Sequence, residues 1–260
     1  MVNKITKRAK GGFMITKRKY PWVGEQTWSD ILFLHWPDEP EVIRPFIPKS
    51  FLIDTFDHKA WISIVVFNAV QSSLRFMPKW TAYRPVTQIN VRTYVKHPQC
   101  SEPGVHFFAL HANSLLAVLG ARNLFGLPFS FVRNDWQKMN QMIHVSSIAD
   151  QQPLFSAQYK AQNNIIQNDL ATFLTERYCI WNTHRNRLIK IPIQHQHWTL
   201  YEADVLLQQN ELFHFLDKKY ISNFIAHYSS YQHAMLYPYE TYGFQKLHTN
   251  EISNMCKQIN

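Results

Sequence analysis

Along most of this chain apolar and polar positions alternate with the period of two that marks a β-strand, and only two stretches carry a clear helical period. Residues 30–36 (DILFLHW) are apolar and aromatic and predict a strand; residues 60–69 (AWISIVVFNA) and 105–112 (VHFFALHA) are apolar on both alternating faces and predict strands covered on both sides. Residues 86–96 differ, because Ile89, Val91 and Val95 alternate with Gln88, Asn90, Arg92 and Tyr94, giving one greasy and one polar face. With doubly apolar neighbours, that polar row points to an enclosed polar cavity rather than to solvent.

The same reading predicts a hairpin from residues 127–136 and 141–148 over a turn at 138–140, and a strand at 154–160. A second hairpin from 178–182 and 187–195 turns over 183–186, and a strand follows at 198–207. Helices are predicted at 114–125 and 169–177, with a helical turn at 40–46 entered through Pro40. Residues 209–231 mix apolar and polar positions at helical spacing and receive no element. The fold class is α+β, mainly antiparallel β, in a single domain spanning 21–242. A basic tail at 1–20, expected to be disordered, precedes it, and a C-terminal tail at 243–260 follows.

Composition narrows the class further. Hydrophobic residues make up 46% and charged residues 17% of the 260, which excludes an intrinsically disordered chain. No run of about 18 apolar residues occurs, and no apolar stretch ending in small residues follows the basic start. Neither a membrane span nor a secretory signal is therefore expected, and the expected location is the cytoplasm. Cys100, Cys179 and Cys256 form no C-x-x-C pair, which argues against a disulfide framework or a zinc ribbon. The net charge of +9 resides mostly in seven basic residues among the first nineteen, which carry no acid, and the remainder is near +2. Lys10-Gly11-Gly12-Phe13 ahead of Met14 is also what a purine-rich ribosome-binding site would encode, so a natural start at Met14, with residues 1–13 mis-annotated, is a further expectation. The aromatic residues sit in core-like strands rather than among Lys and Arg, which disfavours a specific nucleic-acid partner.

Both predicted helices carry an arginine on the apolar stripe: Arg122 among Leu115, Val118, Leu119 and Phe125, and Arg177 beside Leu170, Phe173 and Leu174. A core-facing guanidinium must meet a carboxylate, carbonyl groups or a bound anion; the first reading is an internal ion pair with Glu176, Asp169 or Glu202, the second an anion or carbonyl clamp. His195 and His197 would share one strand face, yet sequence offers only that pair, too few ligands for zinc, and no metal or cofactor is expected. No G-x-S-x-G, Walker loop, G-x-G-x-x-G or H-E-x-x-H occurs.

Several motifs follow one another in order: Trp28-x-Asp30-x-Leu32-Phe33-x-His35-Trp36-Pro37, Asp54-Thr55-Phe56 with Ala60-Trp61, and Asn90-Val91-Arg92-Thr93-Tyr94-Val95. Then come Pro103-Gly104-Val105-x-Phe107-Phe108, Ala121-Arg122 with Leu127-Pro128, and Phe173-Leu174-Thr175-Glu176-Arg177-Tyr178. Together they resemble the YqjF-like family of bacterial proteins, a domain of unknown function, over about residues 28–198. This chain departs from the family at His111, Gln88 and Gln194-His195, where Asp, Glu and a His-His pair are usual.

The resemblance implies a more distant relation to the acetoacetate decarboxylase-like superfamily, hence a conical antiparallel β-barrel with a few short helices and a central cavity. The decarboxylases carry a lysine pair after a G-x-P segment, one lysine forming the Schiff base. Here Pro128 is followed by Phe129 and Ser130, and a phenylalanine forms no iminium, so Schiff-base decarboxylation at this position is excluded. The expected function is binding of a small carboxylate or carbonyl compound through Gln88, Asn90, Arg92, Arg122, Arg177, His195, His35 and Glu176. Two alternatives stay open: a lyase- or isomerase-type enzyme with His195 or His35 as base, and a non-catalytic structural or regulatory protein. The sequence sets no oligomeric state.

Overall fold

The doubly apolar segments become long strands in the computed structural model, which describes residues 20–75, 85–216 and 220–243. The expectations for the basic tail, for the start at Met14 and for residues 244–260 lie outside the described residues. In chain order the elements are β1 (Gly24–Asp38), α1 (Pro40–Ile43), β2 (Leu52–Ile53), β3 (Ala60–Leu74), β4 (Val86–His97), β5 (Cys100–Ala112) and α2 (Leu115–Phe125). There follow β6 (Phe129–Phe131), β7 (Arg133–Met139), β8 (Met142–Ala149), β9 (Gln152–Ile166), α3 (Asp169–Thr175), β10 (Cys179–His184), β11 (Arg187–His195), β12 (Leu200–Asn210), β13 (Ile225–Leu236) and β14 (Glu240–Tyr242).

The strands form one sheet that closes on itself. Antiparallel pairs join β13 to β1, β1 to β3, β3 to β4, β4 to β5 and β10 to β11. A parallel contact of β5 with β10 (Val105 opposite Ile180) and three residue pairs between β11 and β13 complete the ring. β13 forks: its end (Ala234 to Leu236) pairs β11, while Tyr228 and His227 pair Tyr201 and Glu202 of β12, from which β9, β8 and β7 extend. The result is a barrel-like, mainly antiparallel sheet with short helices. A bulge in β1 puts Asp30 at φ 52°, and β9, β13 and β7 hold it there. Its carbonyl accepts from the Tyr159 hydroxyl at 2.7 Å, and its carboxylate accepts from Tyr228 and Lys138, each at 2.7 Å.

The two faces of β4 meet different surroundings. Ile89, Val91 and Val95 are buried in a large core with Leu32, Leu34, Ile62, Ile64 and Val66, closed over by Ile143, Val145, Phe155 and Tyr159 of β8 and β9. On the other face Gln88, Asn90 and Tyr94 are buried as well. Gln88, Asn90 and the half-buried Arg92 of this face line up in register with Phe67, Val65 and Ser63 of β3, and the last two of those with Phe33 and His35 of β1. Ala171 and Leu174 of α3 pack against this second face, and Trp198 lies edge-on to Phe33 at 4.9 Å.

One expectation is corrected and one unassigned stretch, 209–231, is resolved. In that stretch β12 runs to Asn210, Leu212, Phe213, Leu216 and Tyr220 are buried in the core, and β13 begins at Ile225. α2 forms where expected, capped by Ser114 Oγ and ended by Gly126 at φ 62°, but its predicted stripe faces outward. Val118 is its buried residue, whereas Leu115 and Leu119 are 56% and 47% exposed, and Arg122 is exposed. The helix meets chiefly β5 and the three-residue β6, a contact too small to bury a whole stripe.

The parallel seam between β5 and β10 sets a steric limit. A Cβ on Gly104 would stand 2.6 Å from the Cys179 carbonyl oxygen and 2.7 Å from Trp181 Cδ1, so Gly104→Ala must push the two strands apart. Overpacking of this kind destabilises by about 1–3 kcal/mol; urea unfolding of Gly104→Ala at neutral pH is expected to show a loss at or above the upper end of that range.

Candidate functional site

The second face of the sheet carries a hydrogen-bonded chain of three side chains. His35, Ser63 and Arg92 lie in one row across β1, β3 and β4. Tyr94, two residues beyond Arg92 on the same face, donates its hydroxyl proton to the Leu174 carbonyl at 2.8 Å. That carbonyl accepts only, so the Tyr94 oxygen must receive the Ser63 proton across 2.7 Å, and Ser63 Oγ in turn receives His35 Nδ1–H across 2.6 Å. His35 is thereby fixed as the Nδ1-protonated tautomer with the lone pair on Nε2. Burial, with His227 and Arg92 nearby, holds its pKa well below 6.5 and keeps the ring neutral.

Around this chain polar atoms stand unsatisfied. Among the described residues, eight buried side-chain nitrogens and oxygens have no hydrogen-bond partner. Five project from this one face: His35 Nε2, Trp61 Nε1, Asn90 Oδ1, Arg92 Nε and His227 Nδ1. His227 faces Phe33 across the β1–β13 pair, and its ring centroid is 5.2 Å from that of His35. Each buried, unpaired polar group costs about 1–3 kcal/mol, so this face carries more of that stability cost than the rest of the described sheet.

The C-terminus of α3 is the other organising feature. Its final carbonyl groups lack intrahelical donors, and side chains supply them: Arg177 Nε to Phe173 O at 2.7 Å, Arg92 Nη2 and Tyr94 to Leu174 O, and Trp198 Nε1 to Thr175 O at 3.0 Å. Arg177 is buried as expected, yet it is no free clamp. It pairs with Asp54 at 2.6 Å, both side chains being 4% exposed, and stacks 4.2 Å from the Phe173 ring. The partner is Asp54 rather than Glu176, Asp169 or Glu202, and Lys96 holds its other oxygen at 2.7 Å.

Glu176 and His195 are likewise occupied. Glu176 accepts from Trp198 N at 2.9 Å and from the Tyr178 hydroxyl, and lies 3.2 Å from His197 Nδ1. His195 stacks on Tyr178 at 4.6 Å, with Nδ1 2.8 Å from Gln196 O and Nε2 3.3 Å from Arg177 O. Burial lowers its pKa, so the neutral ring donates to one of these two carbonyls and ties the end of β11 to the residues that follow α3. His197 is exposed beyond the end of β11, so the two histidines do not share a strand face, and among the described residues no three potential metal ligands gather.

Of the expected residues, the structure therefore brings His35, Asn90, Arg92 and Gln88 to one face, with Arg177, Glu176 and His195 bracing its α3 border. Arg122 stands apart in solvent. Sequence reasoning passed over Ser63, Trp61, Asp54 and His227. Ser63 was concealed within a strand read only as apolar, Trp61 was quoted in a motif without a role, and His227 lay in the segment that received no element. Asp54 was visible within a motif, but its link to Arg177 spans 123 positions.

The fold has known relatives. The sheet is that of the acetoacetate decarboxylase-like proteins: an acetoacetate decarboxylase from Legionella pneumophila shares it with a TM-score of 0.61 at 9% identity, over 93% of this chain and 98% of that one. The enduracididine biosynthesis enzyme MppR, complexed with pyruvate, matches with a TM-score of 0.61 at 8% identity over 87% and 93%. The chain belongs to the DUF2071 family of uncharacterized conserved proteins (COG2071), matched over residues 25–233. It is 33% identical over 226 residues to the uncharacterized protein YqjF of Bacillus subtilis (strain 168), covering 84% of this chain and 91% of that one. No helix among the described residues is long and apolar enough to cross a membrane.

Two outcomes are expected from this geometry. Asp54→Asn leaves Arg177 buried without its counter-charge, a loss of about 3–5 kcal/mol, and pairing it with Arg177→Met should restore part of that in urea unfolding. The buried histidines set a pH window. His227 and His111 are held at about 4 by burial, below the ordinary 6.5, so between those values the unfolded chain binds protons that the folded one does not. Stability is full above pH 6.5 and falls as pH drops to about 4, by up to about 1.4 kcal/mol per pH unit for each such histidine. A urea midpoint that stays flat through that window would contradict the assignment.

Proposed function

We propose that this chain is a cytoplasmic small-molecule-binding protein whose site is the polar face of β1, β3 and β4, and that its ligand is a small carboxylate or carbonyl compound. The observation that carries this reading is the group of five unpartnered buried polar atoms on that face. Arg92 is the cation there. It spends Nη2 on the Leu174 carbonyl and keeps Nε free, and no carboxylate among the described residues pairs with it. A planar oxyanion fits a guanidinium edge better than any other small group. Trp61 Nε1 adds a donor, while Phe33 and Tyr94, each 5.8 Å from the Arg92 guanidinium, supply aromatic walls. Pyruvate in the MppR complex is a ligand of this size and charge in a related fold.

The covalent chemistry of the decarboxylases is not part of the proposal, since Phe129 and Ser130 follow Pro128 where the resemblance puts the lysine pair. Phe129 sits in β6 opposite Leu110, and Ser130 is exposed. The test is a thermal-shift screen with acetate, propionate, pyruvate, lactate and acetoacetate, followed by calorimetric titration. At least one acid should raise the melting temperature, and Arg92→Met should abolish that shift while retaining the far-ultraviolet circular dichroism of the parent. Indifference to every acid would rule the proposal out.

A further inference from the structure

His35 Nε2 is a lone pair enclosed at the centre of the polar face, and its polarity is set rather than chosen. The acceptor-only Leu174 carbonyl directs the Tyr94 proton, Tyr94 directs Ser63, and Ser63 directs His35. The opposite order would turn two lone pairs toward each other across the 2.8 Å between Tyr94 and Leu174. The imidazole is fully buried, Nε2 has no partner, and the site therefore asks for a donor at this point. A bare carboxylate has none to give.

Arg92 asks for the reverse. Its free Nε–H seeks an acceptor, and it stands over the same aromatic platform as His35: the Phe33 ring is 5.8 Å from the guanidinium and stacks on the His35 ring at 6.0 Å. One small molecule lying on Phe33 can present oxygen to the guanidinium at one end and a hydroxyl hydrogen to the imidazole at the other.

The geometry points to a small hydroxy acid as the ligand, its carboxylate held by Arg92 and its hydroxyl donated to His35 Nε2. This rests on the carboxylate-binding reading above and narrows it to acids that carry a hydroxyl. Acids of the same length without one leave Nε2 desolvated and unpaired, which is how a polar site rejects an analogue.

The test compares matched pairs by calorimetric titration at neutral pH: lactate against propionate, and 2-hydroxybutyrate against butyrate. The hydroxy acid of each pair is expected to bind at least about tenfold more tightly, the worth of one hydrogen bond to a buried acceptor. His35→Phe should erase that preference, so that lactate and propionate bind the variant with equal affinity. Because that variant removes a buried ring and could fail to fold, the second measurement uses the unmodified protein. Nitrogen-15 spectra of its histidines should show His35 protonated at Nδ1 and bare at Nε2, and the reverse tautomer would overturn the inference. Equal binding within each pair overturns the hydroxy-acid inference alone and leaves the carboxylate reading standing. Absence of binding by all four acids removes both.

Discussion

The last turn of α3 governs the polar face. A helix of seven residues gains little from its own hydrogen bonds and ends with carbonyl groups that nothing inside it can satisfy. Here the donors come from β4, from the residue pair following the helix, and from the approach to β12: Arg92 and Tyr94, Arg177, and Trp198. Those contacts do more than fasten the helix. The Leu174 carbonyl gives Tyr94 its orientation, and through Ser63 it determines which nitrogen of His35 carries the proton. The position of one short helix and the chemical polarity of the site are thus a single arrangement, and Asp54 holds it from the other side by neutralising Arg177.

How far the sequence could be read follows from how local each cause is. β3 and β4 were legible because burial on two faces, or on one, writes itself directly into alternation, and the α2 boundaries were legible because Ser114 and Gly126 act within one turn. Rotation of α2 was not legible. It depends on how much surface the neighbouring β5 and β6 offer, and an apolar stripe carries no record of that. The segment before β13 received no element for a related reason: Leu212, Phe213 and Leu216 are buried individually, so their spacing reports depth of burial and not the pitch of a helix.

Within the site, the row Gln88, Asn90 and Arg92 was readable from the polar alternation of β4, and its enclosure from the apolar character of its neighbours. The arginines on helix stripes were a weaker signal. Arg177 is buried, but a pairing across 123 positions with Asp54 is a property of the closed sheet, invisible to any window along the chain. Ser63 and Trp61 illustrate the opposite difficulty, since within an apolar strand one hydroxyl or one indole nitrogen barely changes the pattern. Their significance comes from what stands opposite: Ser63 faces His35 on one side and Arg92 on the other.

On the proposed reading, a sheet shared with acetoacetate decarboxylase but carrying Phe129 and Ser130 where the resemblance places the lysine pair recognises its ligand without covalent capture. Recognition then rests on fixed hydrogen-bond polarity and charge. The ion pair with Asp54 matters here, because it removes Arg177 as a competing cation and leaves the guanidinium of Arg92 as the positive group on that face among the described residues. Burial matters in the same sense, since it keeps His35 and His227 uncharged. A second and third positive charge on this face would attract any anion, whereas one guanidinium beside a neutral, tautomer-locked imidazole would discriminate, on that reading, by the placement of a hydrogen. The unpaired atoms of the face carry a stability cost that paired neighbours such as Arg177 and Glu176 do not, and it is this cost that the proposed ligand would relieve.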